Sequence, residues 1–191
     1  AMGDIGTHAA HLAEYISGLK IKQICADLNI FVEGRPLDDD GNVLLRFDNG
    51  ATGVLTASQV CAGEENALAI RVYGEKGGIE WHQQEPNTLI VKWLNQPAQI
   101  LRTGVGYTTP LSSFATHNTR TPGGHPEGYL EAFANIYRNF ALTVSAKMEG
   151  KEPAPEWLDF PTVEEGVRGM AFIDNVVASS ASKEKWTEFT V

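Results

Sequence analysis

The sequence predicts an α+β domain: a large, open, mostly antiparallel β-sheet with helices packed on one face. Three observations carry that expectation. Apolar residues fall at helical spacing in the first turns of the chain, residues 20–102 lose that period and fill with strand formers broken by glycine and short polar turns, and two further helical stretches follow. Helix, run of strands, then helices is the order in which helices segregate to one side of a sheet. With 191 residues, 42% of them hydrophobic and 20% charged, the chain has the size and composition of one domain spanning 1–191.

The elements follow in order. Ala1 and Met2 read as additions ahead of Gly3, so further sequence is expected upstream. From Thr7 to Ser17, Ala9, Leu12, Ala13 and Ile16 share a helix face, with Thr7 as N-cap, Gly18 as stop, and His8, His11 and Tyr15 as a second, polar stripe. Ile21 to Val32 reads as a long strand. Val43 to Asp48 and Ala51 to Gln59 form a hairpin around Asn49-Gly50, the dipeptide that most readily supplies the positive φ angles of a type I′ turn. Further strands are Ala67 to Tyr73 and Gly78 to His82 around a turn at 74–77, then Thr88 to Trp93 and Ala98 to Arg102. Thr103 to Gly124 is polar and rich in glycine, threonine and proline, the composition of a long irregular loop. Pro126 suits a first helical position, and Tyr129, Phe133, Ile136, Phe140 and Val144 form the stripe of a core-facing helix ending near Gly150. Thr162 and Glu165 have capping-box spacing before Val163, Val167, Met170, Ile173 and Val177. A closing strand is expected over Trp186 to Val191.

Charge and composition exclude whole classes of partner. Fifteen basic against 24 acidic residues leave a net charge of -9, which repels nucleic acid. No stretch approaches the roughly 18 apolar residues of a membrane helix, and the N-terminus lacks the pattern of a signal peptide, so a cytoplasmic, non-membrane protein is expected. Cys25 and Cys61 stand apart, with no spacing that marks zinc or a redox pair; they read as buried free thiols.

The strongest chemical constellation is Asp4-Ile5-Gly6-Thr7-His8. A carboxylate and an imidazole four residues apart share a helix face, and such a pair suits general acid/base work on a hydroxyl or carbonyl. The same spacing also fits an aspartate favoured at a helix start by the dipole alone. His11 extends the stripe, but three ligands from one segment rarely complete a metal site, and no metal is expected. The run Asp38-Asp39-Asp40 reads as a solvated loop. Neither Gly74–Gly78 nor Gly104-Val105-Gly106 has the full GxGxxG pattern between a strand and a helix, so the chain alone should bind no nicotinamide cofactor. His125 stands where the loop meets a helix, which suits either a cap or a substrate contact.

Three ordered segments, GDIGTHAAHLAEYISG, FDNGATGVLTASQV and HPEGYLEAFANIYRNFA, together resemble the C-terminal domain of the Gfo/Idh/MocA oxidoreductases. The resemblance spans nearly the entire chain. It implies a two-domain enzyme in which an N-terminal Rossmann domain, not present here, binds NAD or NADP while this domain contacts a sugar or polyol substrate. Asp4 and His8 match the family's DxxxH motif, which implies a catalytic role for both. His125 and His11 are then expected substrate contacts. The lysine of an EKP motif normally assists from the Rossmann domain, and this chain has no EKP. Family members commonly pair by their sheets, so a homo-oligomer is expected.

Overall fold

The computed structural model describes residues 1–106 and 111–191 and shows an α+β fold. The chain divides into two compact units: unit 1 comprises 1–65 and 162–191, unit 2 comprises 66–161. The strands, all paired antiparallel, form two four-stranded sheets where one large sheet was expected. The chain between them, 59–68, includes Ala-Gly-Glu-Glu-Asn, a polar run that lacks the alternation of a strand and so ends the ladder.

In unit 1, a π-helical turn (Met2–Gly6) runs into α1 (Thr7–Ser17), then β1 (Ile21–Asn29), β2 (Asp40–Phe47) and β3 (Thr52–Ser58). Gly18 stops α1 at φ 69°, and Gly50 turns the β2–β3 hairpin at φ 88°, both conformations that L side chains rarely adopt. β2 alternates strictly: Gly41, Val43, Leu45 and Phe47 are buried, while Asn42, Leu44 and Arg46 are exposed. The buried face meets Ile24 of β1 and Leu55 of β3, and the core is closed by Met2, Ala10, Phe172 and Val176. Each such large side chain contributes about 1.5–3 kcal/mol by leaving water. The outer face keeps the cross-strand pair Leu44 and Val54 exposed, so the helices of this unit cover one side only.

The second segment of unit 1 is α4 (Val163–Ala181), capped as the sequence predicts by Thr162 Oγ1 accepting from the Glu165 amide. The closing strand is short, Thr187–Glu188. Where it ends, α4 protects the edge of β1, since Ser179 and Ser180 accept from the amides of Ala26 and Leu28. Asn175 ties down the C-terminal segment by bonding both the carbonyl and the amide of Thr190.

Unit 2 holds β4 (Ala69–Tyr73), β5 (Gly77–His82), β6 (Thr88–Trp93) and β7 (Gln99–Arg102), a meander of antiparallel neighbours. The strand Thr187–Glu188 is accordingly β8. Of the expected loop Thr103 to Gly124, residues 107–110 lie outside the described residues. A short helix, α2 (Ser113–Asn118), occupies part of the rest and is capped by Ser112 Oγ. The long helix α3 (Tyr129–Met148) starts three residues after Pro126, because the Glu131 carboxylate accepts from the Gly128 amide and fixes the first turn there.

The expected core face of α3 is the reverse of the one observed. Tyr129, Phe133, Ile136, Phe140 and Val144 are exposed, whereas Asn135, Asn139, Thr143 and Ala146 are buried. The neighbours that unit 2 provides are polar: Asn135 bonds Arg120 and the Asn118 carbonyl, Asn139 bonds His117, Asn118 and the Asp159 carbonyl, and Thr143 donates to the Trp157 carbonyl. Buried amides need partners, and that need selects the face. Among the described residues, no helix is long and apolar enough to cross a membrane.

Candidate functional site

The π-helical turn positions the first candidate residues. Ala1 O lies within bonding distance of the amides of Asp4, Ile5 and Gly6, and Thr7 N donates to Met2 O. Wide turns of this kind are rare and often mark functional sites. Thr7 therefore does not cap α1; its hydroxyl donates to Asp4 O at 3.2 Å. Met2 anchors the turn. Its fully buried side chain fills the space beside two glycines: a Cβ on Gly6 would lie 2.6 Å from Met2 Sδ, and a Cβ on Gly41 would lie 2.5 Å from Met2 Cε.

Asp38 and Asp39, expected in a solvated loop, hold this region together. The Met2 amide donates to Asp38 Oδ2 at 2.7 Å. Asp39 is fully buried and accepts from the amides of Phe31 and Val32 at 2.8 and 2.9 Å, with Arg35 at 3.4 Å. The Phe31 amide leads in holding the Asp39 carboxyl below its ordinary range, against the opposing effect of burial. Two main-chain donors and a guanidinium satisfy the charge, which allows it to be buried.

Asp4 and His8 are both exposed, one on the π-helical turn and one on the first turn of α1. No hydrogen bond joins them among the described residues. Instead the Gln59 side chain, just beyond β3, donates to Asp4 Oδ2 at 2.8 Å. His11, one turn on, is half-buried and stands 3.5 Å from Glu165 Oε1 and 6.2 Å, ring to ring, from Tyr15. It lines a cleft with Thr7, Ala10, Glu165, Gly169 and Phe172. The Thr162 amide and then His11 hold the Glu165 carboxyl below its ordinary range, outweighing burial.

The same cleft is lined by a bidentate ion pair, with Arg168 Nε and Nη2 at 2.8 and 2.6 Å from the two oxygens of Glu14. Burial pushes the Glu14 carboxyl up, but Arg168, the Ile21 amide and Lys20 together bring it below its ordinary range. The pair clamps α1 to α4 and sets the aspect of the His8 and His11 stripe.

His125 lies in unit 2, in a turn before α3, with Nδ1 3.1 Å from the Pro122 carbonyl. It faces an open polar groove shared with Asn87, Thr103, Thr121 and Glu127. The structure thus places Asp4, His8 and His11 on one stretch of unit 1, and His125 in a separate setting. Sequence reasoning missed Gln59, Asp38 and Asp39, and also the buried cluster around His117 and Asn139. The partners of these residues lie far away in the chain or on elements with no periodic signal.

Among the described residues, no group of three His, Cys, Asp or Glu side chains gathers to hold a metal. The glycine-rich segments do not fit a dinucleotide either. Gly74–Gly78 closes the β4–β5 hairpin, with Gly77 against the Lys92 carbonyl of β6, and Gly123 N donates to Gly104 O between two loops. Among the described residues, neither segment opens a helix whose amides could receive a pyrophosphate.

Residues 1–80, which contain the π-helical turn, α1 and the first sheet strands, match the GFO/IDH/MocA C-terminal domain. Over these 80 of its 191 residues the chain resembles that domain family. It is 35% identical over 190 residues to YfiI of Bacillus subtilis (strain 168), an uncharacterized oxidoreductase, covering 98% of this chain and 48% of that protein. The crystal structure of an oxidoreductase from Sinorhizobium meliloti superposes with a TM-score of 0.90 at 43% identity, covering 98% of this chain and 51% of that one. An inositol dehydrogenase homolog from Azotobacter vinelandii, crystallised with NADH and myo-inositol, gives a TM-score of 0.85 at 32% identity over 97% of this chain and 49% of that one. The chain spans about half the length of the curated relatives it matches.

Proposed function

We propose that this chain is the substrate-binding and catalytic half of an NAD(P)-dependent oxidoreductase acting on a secondary hydroxyl of a sugar or cyclic polyol. The observation that carries the reading is the exposed His8 on the first turn of α1, one turn from an Asp4 carboxylate that Gln59 holds in place. The family resemblance and the myo-inositol and NADH of the Azotobacter homolog support it. A nicotinamide cofactor, NAD or NADP, supplies the hydride acceptor when bound elsewhere in the intact enzyme. The residues of this chain handle the proton. As the carbinol C–H departs as hydride and the C–O bond gains double-bond character, the hydroxyl proton passes to an imidazole nitrogen of His8. Asp4 orients the ring and stabilises the imidazolium so formed. His11 and His125 are proposed substrate contacts, as donors or acceptors to sugar hydroxyls.

The test is single-turnover hydride transfer in the intact enzyme with substrate saturating. His8→Asn keeps a hydrogen-bonding group but removes the acid/base, so the rate should fall about 10²- to 10⁴-fold with cofactor affinity unchanged. An unchanged rate would return His8 to a structural role.

A further inference from the structure

We propose that Gln59 is a positioning residue of this site: its side-chain amide fixes Oδ2 of Asp4 and so presents the other carboxylate oxygen, Oδ1, to the imidazole of His8. The proposal rests on Asp4 and His8 being the pair that handles the proton.

Gln59 and Asp4 are 55 residues apart in sequence, yet both are tied to the same short segment. The Gln59 amide donates to the Asp39 carbonyl at 2.8 Å, and the Met2 amide donates to the adjacent Asp38 carboxylate at 2.7 Å. Asp39 is itself immobilised by its buried carboxylate on Phe31 and Val32. The donor of Gln59 and the main chain that carries Asp4 are therefore referenced to one rigid point. An exposed aspartate on a two-torsion stem otherwise turns freely; one hydrogen bond to Oδ2 selects its orientation.

The chemistry of the donor matters as much as its position. Glu14, whose task in this unit is to clamp helices, is neutralised by Arg168 and Lys20. Asp4 is held by a neutral amide, which orients a carboxylate without cancelling its charge. That is the arrangement a carboxylate needs if it is to stabilise a transient imidazolium.

The test is ¹⁵N NMR of the imidazole rings in this chain, reading the tautomer ratio of neutral His8 with His11 as an internal reference. Gln59→Met keeps the length of the side chain and removes its donor, and Asp4→Asn removes the charge. The expected result is a change in the His8 ratio in Asp4→Asn, and a shift of about threefold toward that value in Gln59→Met, the order expected for one exposed hydrogen bond. His11 should be unmoved in both. A changed ratio in Asp4→Asn with a wild-type ratio in Gln59→Met overturns the role of Gln59 while keeping the pair. A wild-type ratio in both removes the pair, and the proposal with it. Movement of His11 alongside His8 in Gln59→Met assigns Gln59 to general packing and also overturns the proposal.

Discussion

In unit 1 the side chains withdrawn from solvent include Met2, Ile24, Val43, Phe172 and Val176, all apolar and at most 2% exposed, whereas in unit 2 they are Asn135, Asn139, Thr143 and Ala146. The first interior is largely apolar, and much of its cohesion is spread over contacts that need no particular direction, beside a few directional ones at the buried Asp39 and the Glu14–Arg168 pair. The second is directional, because each buried amide is useful only while its partners stay in place. The π-helical turn with Asp4 and His8 is built on the apolar interior through Met2. Helix α3 shows the same contrast from outside, with its amides turned inward and its aromatic stripe exposed.

The largest expected effect tests the contrast directly. Phe172→Ala should cost about 3–5 kcal/mol, the range for emptying a buried aromatic site. Phe140→Ala, at a side chain 55% exposed that packs edge-on against Phe160, should cost no more than about 1.5 kcal/mol, the upper worth of one aromatic pair. Fluorotryptophan NMR during urea unfolding separates the units, since Trp186 reports on unit 1 while Trp81, Trp93 and Trp157 report on unit 2. Equal losses would erase the distinction.

A middle-sized pair sharpens it. Gly41→Ala places a Cβ 2.5 Å from Met2 Cε and 2.7 Å from Leu28 Cδ2, an overpacking worth about 1–3 kcal/mol. Combined with Met2→Ala in a double-mutant cycle, it should cost less than the sum of the single changes, because the nearer of the two clashing atoms is gone. Asn139→Leu should cost a similar amount, about 1–3 kcal/mol, by stranding its partners. A second apolar substitution at His117 should recover less, because the bonds of the Asn139 amide to Asn118 Oδ1 and to the Asp159 carbonyl are lost as well. Additive losses at Gly41 and Met2 would show that the two side chains do not meet in the core.

The smallest effect is in pH. On unit 2, Lys92, then His82 and, less strongly, Arg71 draw the Glu80 carboxyl down to about 2, from an ordinary value near 4.5 and against the effect of burial. A folded value below the unfolded one gives stabilisation that is complete above about 4.5 and is lost as pH falls toward about 2. An acid titration of the Trp81 resonance should therefore show wild type and Glu80→Gln diverging above that window and converging within it. The cations are partly exposed, so the difference should shrink in about 1 M salt, where the Debye length is about 3 Å. Glu14 follows the same sign in unit 1, its stabilisation lost on acidification.

Local chemistry was legible in the sequence. Asn49-Gly50 marked its hairpin, although only Gly50 takes the positive φ that the expected type I′ turn needs at both residues; Gly18 marked its helix end and Thr162 with Glu165 its capping box, because each acts within a few residues. Periodicity found α3 but pointed to the wrong face, since a stripe of Phe133, Ile136 and Phe140 says which residues are alike and leaves open which neighbours they meet. The burial of Asp39 was hidden for a related reason: three consecutive aspartates look solvated unless the amides of Phe31 and Val32 are known to converge on one of them. Of the candidate site, Asp4, His8 and His11 could be named from spacing, while Gln59 could not. A contact spanning 55 residues depends on the β2–β3 hairpin and the Asp39 anchor together.

Unit 1 is discontinuous, with residues 66–161 inserted between its two parts, and this sets the order of events on the ribosome. Strands β1 to β3 emerge before α4, with Ile24, Val43, Leu45, Phe47 and Leu55 on a face whose closure by Phe172 and Val176 comes only later. At about 5–20 residues per second, the intervening stretch of roughly 100 residues leaves that face waiting about 5–20 s. The amides of Ala26 and Leu28 wait equally long for Ser179 and Ser180. During this interval the nascent chain offers a sticky sheet with an open edge.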